Sequence, residues 1–235
     1  MKTPSSSIQD YLKAIYELAE ESGPEPVSTS LLAERLGVAR PSVTGMLQKM
    51  ASTKPGLVEY LRYQGVRLTP AGEKVALEVI RHHRLIESYL SEALDFPWDE
   101  VHPEADRLEH VISEALEDRI AAKLGYPELD PHGQPIPTRE GTVSRRQEIR
   151  LSELPQGSAA VVCRVSDQDP AILRYLDEIG LRLSTPIEVT DRGPFDGPLH
   201  VRVAEETTTH ALGRQVTDRV FVLPVEESSR SSTHG

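Results

Sequence analysis

Apolar positions near the N-terminus recur with helical spacing. Ile8, Leu12, Ile15, Tyr16 and Leu18 define one face of an amphipathic helix, which the ESGPEP stretch ends. After Val27, the run STSLLAERLGVARPSVTGMLQKMAS predicts two short helices. In the first, Ser28 or Thr29 serves as cap, Leu31, Leu32 and Leu36 are the apolar positions, and Gly37 supplies the turn. The second begins near Pro41, whose missing N–H costs no internal bond in a first turn, and it directs Val43, Met46, Leu47 and Met50 inward. Met46 and Met50 are read as core fillers rather than as metal ligands. This is the grammar of a helix-turn-helix. Residues 56–69, GLVEYLRYQGVRLT, hold two β-rich segments around Gln64 and Gly65 and predict a two-stranded wing. From Pro70 a long helix follows, with Val75, Val79, Leu85, Ile86 and Leu90 available for packing.

Beyond a loop at Phe96–Trp98, the segment EADRLEHVISEALEDRIAAKLG places Leu108, Val111, Ile112, Leu116 and Ile120 at helical spacing, with Gly125 closing the run. PELDPHGQPIPTREG, rich in proline and glycine, reads as an ordered loop or linker. From Ile149 to Val225, AAVVCRV, PIEVTD, LHVRVAE and RVFVLPV predict strands, with a short helix from Ala171 to Ile179, and together they point to a small β-barrel. Residues 226–235, EESSRSSTHG, lack apolar anchors and are expected to form a loose tail.

Composition restricts the function classes. The 235 residues contain no uninterrupted apolar stretch near 18 residues, so a membrane-spanning protein is not expected. The N-terminus lacks a secretory pattern and the single Cys163 has no internal disulfide partner, so a cytoplasmic location is expected. The formal charge of −11 argues against indiscriminate attachment to polyanions. That charge is uneven: residues 1–87 carry 11 Lys/Arg and 10 Asp/Glu, whereas residues 88–235 carry 15 and 27. A local DNA-binding face on the near-neutral first segment is therefore permitted.

Two groups of residues can carry chemistry. Asp106, Glu109 and His110 are three and four residues apart, so a helix brings them to one face; His102 lies one turn earlier, and His83 and Glu87 share an i,i+4 spacing on the long helix. Carboxylates with imidazoles suit Mn²⁺, Fe²⁺ or related divalent ions, while one cysteine excludes a closed thiolate zinc site. The same residues also make ordinary exposed pairs or helix caps, and spacing alone leaves both open. Around the second short helix, Ser42, Thr44 and Gln48 are candidates for base contacts and Arg40 and Lys49 for phosphates, with Arg62 and Arg67 adding charge on the wing. They equally solvate a small helix or pair with local carboxylates. No HExxH, GxSxG, GxGxxG or phosphate-loop pattern is present, so an enzyme is not expected. A metal-dependent hydrolase and a metal-independent scaffold stand as alternatives.

Taken in order, IQDYLKAIYEL, ARPSVTGMLQKM, VIRHHRLIESYL, VHPEADRLEHVISEALEDRI and the HGQPIP turn resemble the diphtheria toxin repressor family of iron- and manganese-dependent transcription regulators. The resemblance implies a mainly α fold with β: a winged helix-turn-helix domain (1–73), a helical metal-binding and dimerisation domain (74–140), a linker (141–148) and an SH3-like barrel (149–225). It implies one metal position at Asp10, Asp106, Glu109 and His110 and a neighbouring one at His83, Glu87 and His102, loaded with Mn²⁺ or Fe²⁺, with His83 open to sharing between adjacent ions. The Asp10 position commonly holds methionine in iron-responsive members and aspartate in manganese-responsive ones. The Asp106 position is often cysteine in the former and glutamate in the latter, so an aspartate departs from both. An ancillary barrel ligand is implied near Asp167, with Asp167 or Asp169 equally readable as loop solvation. The implied partners are a second copy of the chain and double-stranded operator DNA of approximate two-fold symmetry. The implied function is repression of metal-uptake genes.

Overall fold

The computed structural model describes residues 4–23, 25–166, 169–204 and 207–225. The chain forms two compact units: Met1–Ile86 with Ala105–Glu128 and Ile136–Val143, and Glu87–Glu104 with Leu129–Pro135 and Ser144–Gly235. Among the described residues, no helix is long and apolar enough to cross a membrane. The tail expected at 226–235 and the position of Asp167 lie outside the described residues.

In the first unit, helix α1 (Ser6–Ser22) is followed by α2 (Thr29–Arg35) and α3 (Arg40–Ala51). The wing is an antiparallel pair, β1 (Val58–Leu61) and β2 (Gly65–Leu68), in register Val58 to Leu68 and Leu61 to Gly65. Ser28 caps α2, its hydroxyl accepting from Leu31 N at 3.2 Å. That cap satisfies one of the donors a helix start leaves open. Leu12, Ile15, Leu32, Val43, Leu47, Met50 and Val66 are buried in one core, with Met46 and Leu36 packed at its edge. Leu31, by contrast, is exposed. A seven-residue helix turns only part of its circumference inward, and Leu32 occupies that part.

Helix α4 spans Pro70–Leu94 and starts hard against the chain leading into the wing. A Cβ on Gly72 would lie 1.9 Å from the Leu57 carbonyl oxygen, so only glycine permits this approach. The segment expected to continue helically from 104 to 125 is instead two helices, α5 (Val101–Leu108) and α6 (Glu114–Lys123). Ser113 causes the restart: it is extended and its side chain caps α6 through Leu116 N. Of the five positions expected to pack, Ile120 is buried and Ile112 half-buried, whereas Leu108, Val111 and Leu116 are 41%, 75% and 50% exposed in the single chain.

In the second unit, β3 (Ile149–Arg150), β4 (Ala159–Val165), β5 (Pro186–Arg192), β6 (Leu199–Val203), β7 (Thr209–Leu212) and β8 (Val220–Pro224) form one antiparallel sheet in the order β3-β8-β4-β5-β6-β7. Alternation along β6 buries Leu199, Val201 and Val203, and helix α7 (Pro170–Glu178) adds Ile172, Leu173 and Leu176 to the same core. Asp169 caps α7 by accepting from Ala171 N at 3.0 Å, so its side chain has a structural role. The short strands β3 and β7 have no apolar run of their own to announce them. The HGQPIP turn packs on β4: Val165 N donates to His132 O, and a Cβ on Gly133 would lie 2.2 Å from Cys163 O.

Candidate metal centre

Helix α1 has two working faces. Leu12 and Ile15 enter the core, while Gln9, Asp10 and Lys13 meet residues from α4, α5 and the turn after α5. Asp10, Glu109 and His110 offer ligand atoms that all lie within 4.8 Å of one another. His110 Nε2 is 2.7 Å from Asp10 Oδ1 and 3.4 Å from Glu109 Oε1. On the other side of the ring, Nδ1 is 2.7 Å from Gln9 Oε1. An amide oxygen only accepts, so this contact places a proton on Nδ1 and presents Nε2 to the two carboxylates. Two acceptor oxygens facing an imidazole nitrogen need a proton or a cation among them. The donors are hard oxygens with one borderline nitrogen, which fits Mn²⁺ or Fe²⁺.

Glu109 N still bonds Ala105 O at 2.9 Å, so the glutamate keeps helical placement although the regular helix has ended. Its side chain is 2% exposed and its second oxygen, Oε2, faces the other way. That oxygen is 2.7 Å from Lys13 Nζ and 2.5 Å from His83 Nδ1. Asp106 Oδ1 reaches the same point, 3.1 Å from Lys13 Nζ and 3.3 Å from His83 Nδ1. Of the four residues grouped by resemblance, the structure thus brings Asp10, Glu109 and His110 together and turns the shorter Asp106 toward Lys13.

The electrostatics follow from these contacts. Burial pushes the Asp10 carboxyl up, against the opposing pull of His110. Burial also opposes ionisation of Glu109, but its hydrogen bond with His83 and the charge of Lys13 prevail and its pKa is lowered. For Lys13, burial works against the charge, and Glu109, Glu17 and Asp106 outweigh it, so the ammonium is held more firmly than an ordinary lysine.

In the second unit, Glu87 is fully buried and its Oε1 lies 3.1 Å from His102 Nδ1. Its Oε2 lies 3.7 Å from Nδ1 of the buried His132, whose Nε2 donates to the Trp98 carbonyl at 2.7 Å. Asp130 joins them, its Oδ1 accepting from His132 N and Gln134 N at 2.8 and 2.9 Å. Glu87 and His102 were expected together; Asp130, His132, Gln9 and Lys13 were not read as site residues. Spacing offered a signal for Lys13, three residues after Asp10 and hence on the same helix face. No local pattern joins His132 to Glu87.

Close to Glu109, His82 Nδ1 lies 3.1 Å from its backbone oxygen and His82 Nε2 lies 3.0 Å from Glu117 Oε2, while Arg81 Nε donates to Glu117 Oε1 at 2.5 Å. Burial opposes the charged forms of both His82 and Glu117, yet their mutual bonding raises the histidine and lowers the glutamate. The histidine's contribution is complete below its ordinary value of 6.5 and is lost as pH rises through the raised value; the glutamate's is complete above 4.5 and is lost as pH falls through the lowered one. Denaturant titrations of the wild type and Glu117→Gln should therefore show a larger stability gap at about pH 5.5 than at about pH 8.5. An equal gap at both would remove His82 from the account.

The DNA candidates cluster on α3 and the wing. Arg40, Ser42, Gln48 and Lys49 are exposed, whereas Thr44 is half-buried and its hydroxyl donates to Arg40 O at 3.3 Å. The Arg62 guanidinium lies 5.0 Å from the Tyr63 ring centroid, and Arg67 stands opposite Glu59 in the wing.

Comparison with known proteins gives a consistent result along the chain. Residues 4–66 match the iron dependent repressor N-terminal DNA binding domain, 69–138 the iron dependent repressor metal binding and dimerisation domain, and 149–224 the FeoA domain. The iron-dependent repressor IdeR of Mycobacterium leprae is 38% identical over 180 residues, 71% of this chain and 76% of that protein. The diphtheria toxin repressor of Corynebacterium efficiens is 32% identical over 199 residues, covering 80% and 85%. Among solved structures, a manganese-dependent transcriptional repressor in complex with manganese superposes with a TM-score of 0.86 at 39% identity, over 93% of this chain and all of that one. The manganese regulator SloR gives 0.76 at 28% identity, over 93% and 98%.

Proposed function

The chain belongs to the iron-dependent repressor family, and from that premise we propose that Asp10, Glu109 and His110 hold the divalent ion through which this repressor senses metal. It is a metal-dependent, DNA-binding transcriptional repressor of metal-uptake genes, using Mn²⁺ or Fe²⁺ and acting on operator DNA as a homodimer. It is not an enzyme. The observation that carries the site assignment is the meeting of Asp10, from the segment matching the DNA-binding domain, with Glu109 and His110, from the segment matching the metal-binding domain. Glu87 and His102 form the second proposed position; the family pattern assigns Asp106 to the first group and His83 to the second. The domain division proposed is 1–73, 74–140 and 149–225, with 141–148 as linker. The exposed Leu108, Val111 and Leu116 fall inside the segment matching the dimerisation domain and supply an apolar face for subunit pairing.

When bound, the ion supplies positive charge that lets the buried Glu109 carboxylate, the half-exposed Asp10 carboxylate and an imidazole converge. The protein's own part is to fix α1. Gln9 orients the His110 ring, His110 and Glu109 receive Asp10, and α1 carries the core that supports α2 and α3. Metal affinity and DNA affinity then reinforce each other by linkage. Two recognition helices of a dimer meet successive half-sites about 34 to 36 Å apart, which requires an approximately palindromic operator.

The test is to titrate metal-depleted protein with Mn²⁺, Fe²⁺ and Zn²⁺ while measuring affinity for DNA selected in vitro and for its scrambled counterpart. Metal-stimulated, sequence-selective binding is expected; binding indifferent to metal contradicts the reading. In the same assay Gln48→Ala should lose selected over scrambled DNA by about 1–3 kcal/mol, whereas Lys49→Ala should weaken both and reduce the salt slope by about 1.

A further inference from the structure

The two oxygens of Glu109 serve different neighbours. Oε1 turns toward His110, while Oε2 faces Lys13 and His83. Around Lys13 Nζ stand Glu109 Oε2 at 2.7 Å, His83 Nδ1 at 2.9 Å and Asp106 Oδ1 at 3.1 Å. Those three donors are also close to one another, with Nδ1 2.5 Å from Oε2 and 3.3 Å from Oδ1. Two carboxylates and an imidazole converging this tightly are a donor set suited to a divalent ion. In this chain a side chain already fills the place. Lys13 is 11% exposed and reaches the cluster from α1, the same helix that delivers Asp10 one turn earlier.

We propose that the Lys13 ammonium is a resident cation that fills the space among His83, Asp106 and Glu109 and stops a second divalent ion from sharing Glu109 with the ion at Asp10, Glu109 and His110. Sharing would require a doubly charged ion within about 3 Å of the ammonium, in a buried setting where like charges repel strongly. It would also require Oε2 and Nδ1 to abandon Lys13. The site therefore takes one ion beside a fixed single charge rather than a coupled pair of ions. Sharing of His83 between adjacent ions, which the family resemblance left open, is closed by Lys13. This inference rests on the metal assignment above and deepens it.

The experiment measures bound Mn²⁺ per chain by equilibrium dialysis and records its electron paramagnetic resonance in full-length wild type, Lys13→Gln and Lys13→Arg. Circular dichroism verifies that each variant is folded. The wild type and Lys13→Arg should give magnetically isolated Mn²⁺ signals, and Lys13→Gln should bind one additional Mn²⁺ per chain with the multiline spectrum of an exchange-coupled pair. Wild type that binds no Mn²⁺ defeats the metal assignment itself. Wild type that already holds a coupled pair overturns the role of Lys13, even if the variants do not fold. Equal stoichiometry and identical isolated spectra in wild type and folded Lys13→Gln overturn it as well.

Discussion

Asp10→Ala is expected to weaken metal-stimulated DNA binding by at least about 100-fold while leaving metal-free binding nearly unchanged. Losing a group that merely orients a ligand typically costs 10 to 100-fold in metal affinity, so losing a proposed ligand belongs at or beyond the upper end. Asp10 Oδ1 lies 2.7 Å from His110 Nε2, one of the contacts that tie α1 to the turn after α5, and the one that the proposed ion would join. Because metal and DNA binding are linked, whatever metal affinity is lost through Asp10 is lost again as DNA affinity at a fixed metal concentration. Fluorescence anisotropy of a labelled operator, with and without Mn²⁺, reads both terms. An unchanged metal response in the variant removes Asp10 from the coupling. Acid should act in the same direction. Burial raises the Asp10 pKa, so protonation begins to compete with metal at a higher pH than for an ordinary carboxylate.

Leu12→Ala tests the opposite face of the same helix and should act through stability alone. Leu12 is completely buried in the core shared by α1, α2, α3 and the wing. Truncating such a leucine costs about 2–5 kcal/mol, depending on how far the surroundings collapse into the cavity. Denaturant unfolding of the metal-depleted protein should show that loss, and the ratio of DNA affinity with metal to that without should survive in the fraction still folded. If Leu12→Ala instead abolishes the metal response of folded protein, the two faces of α1 are not separable. The pair of variants divides one helix into a packing function and a sensing function.

Much of this organisation was legible in the order of residues. The face of α1, the short α2 and α3, and the wing around Gln64 and Gly65 all follow from local periodicity and turn chemistry. Ser28 was readable as a cap and Asp169 was not singled out as one, although both do the same work at a helix start. The segment from 104 to 125 misled because its apolar spacing is helical throughout. The break comes from the Ser113 cap, and three positions of the stripe, Leu108, Val111 and Leu116, lie exposed while Ile120 is buried. The strands β3 and β7 were silent because short edge segments derive their pairing from neighbours rather than from their own composition.

The metal chemistry divides in the same way. Residue types alone offered carboxylates and imidazoles as candidate donors, excluded a closed thiolate zinc site with one cysteine, and placed Glu109 and His110 in one turn of chain. Only the tertiary structure decided that Glu109 spends one oxygen on His110 and the other on Lys13, that Gln9 selects the nitrogen His110 presents, and that Asp130 and His132 come to Glu87. Spacing along a helix governs neighbours three and four residues apart. Lys13 and Glu109 are 96 residues apart, and a contact of that range exists only once the chain has folded to bring α1 and the turn after α5 together.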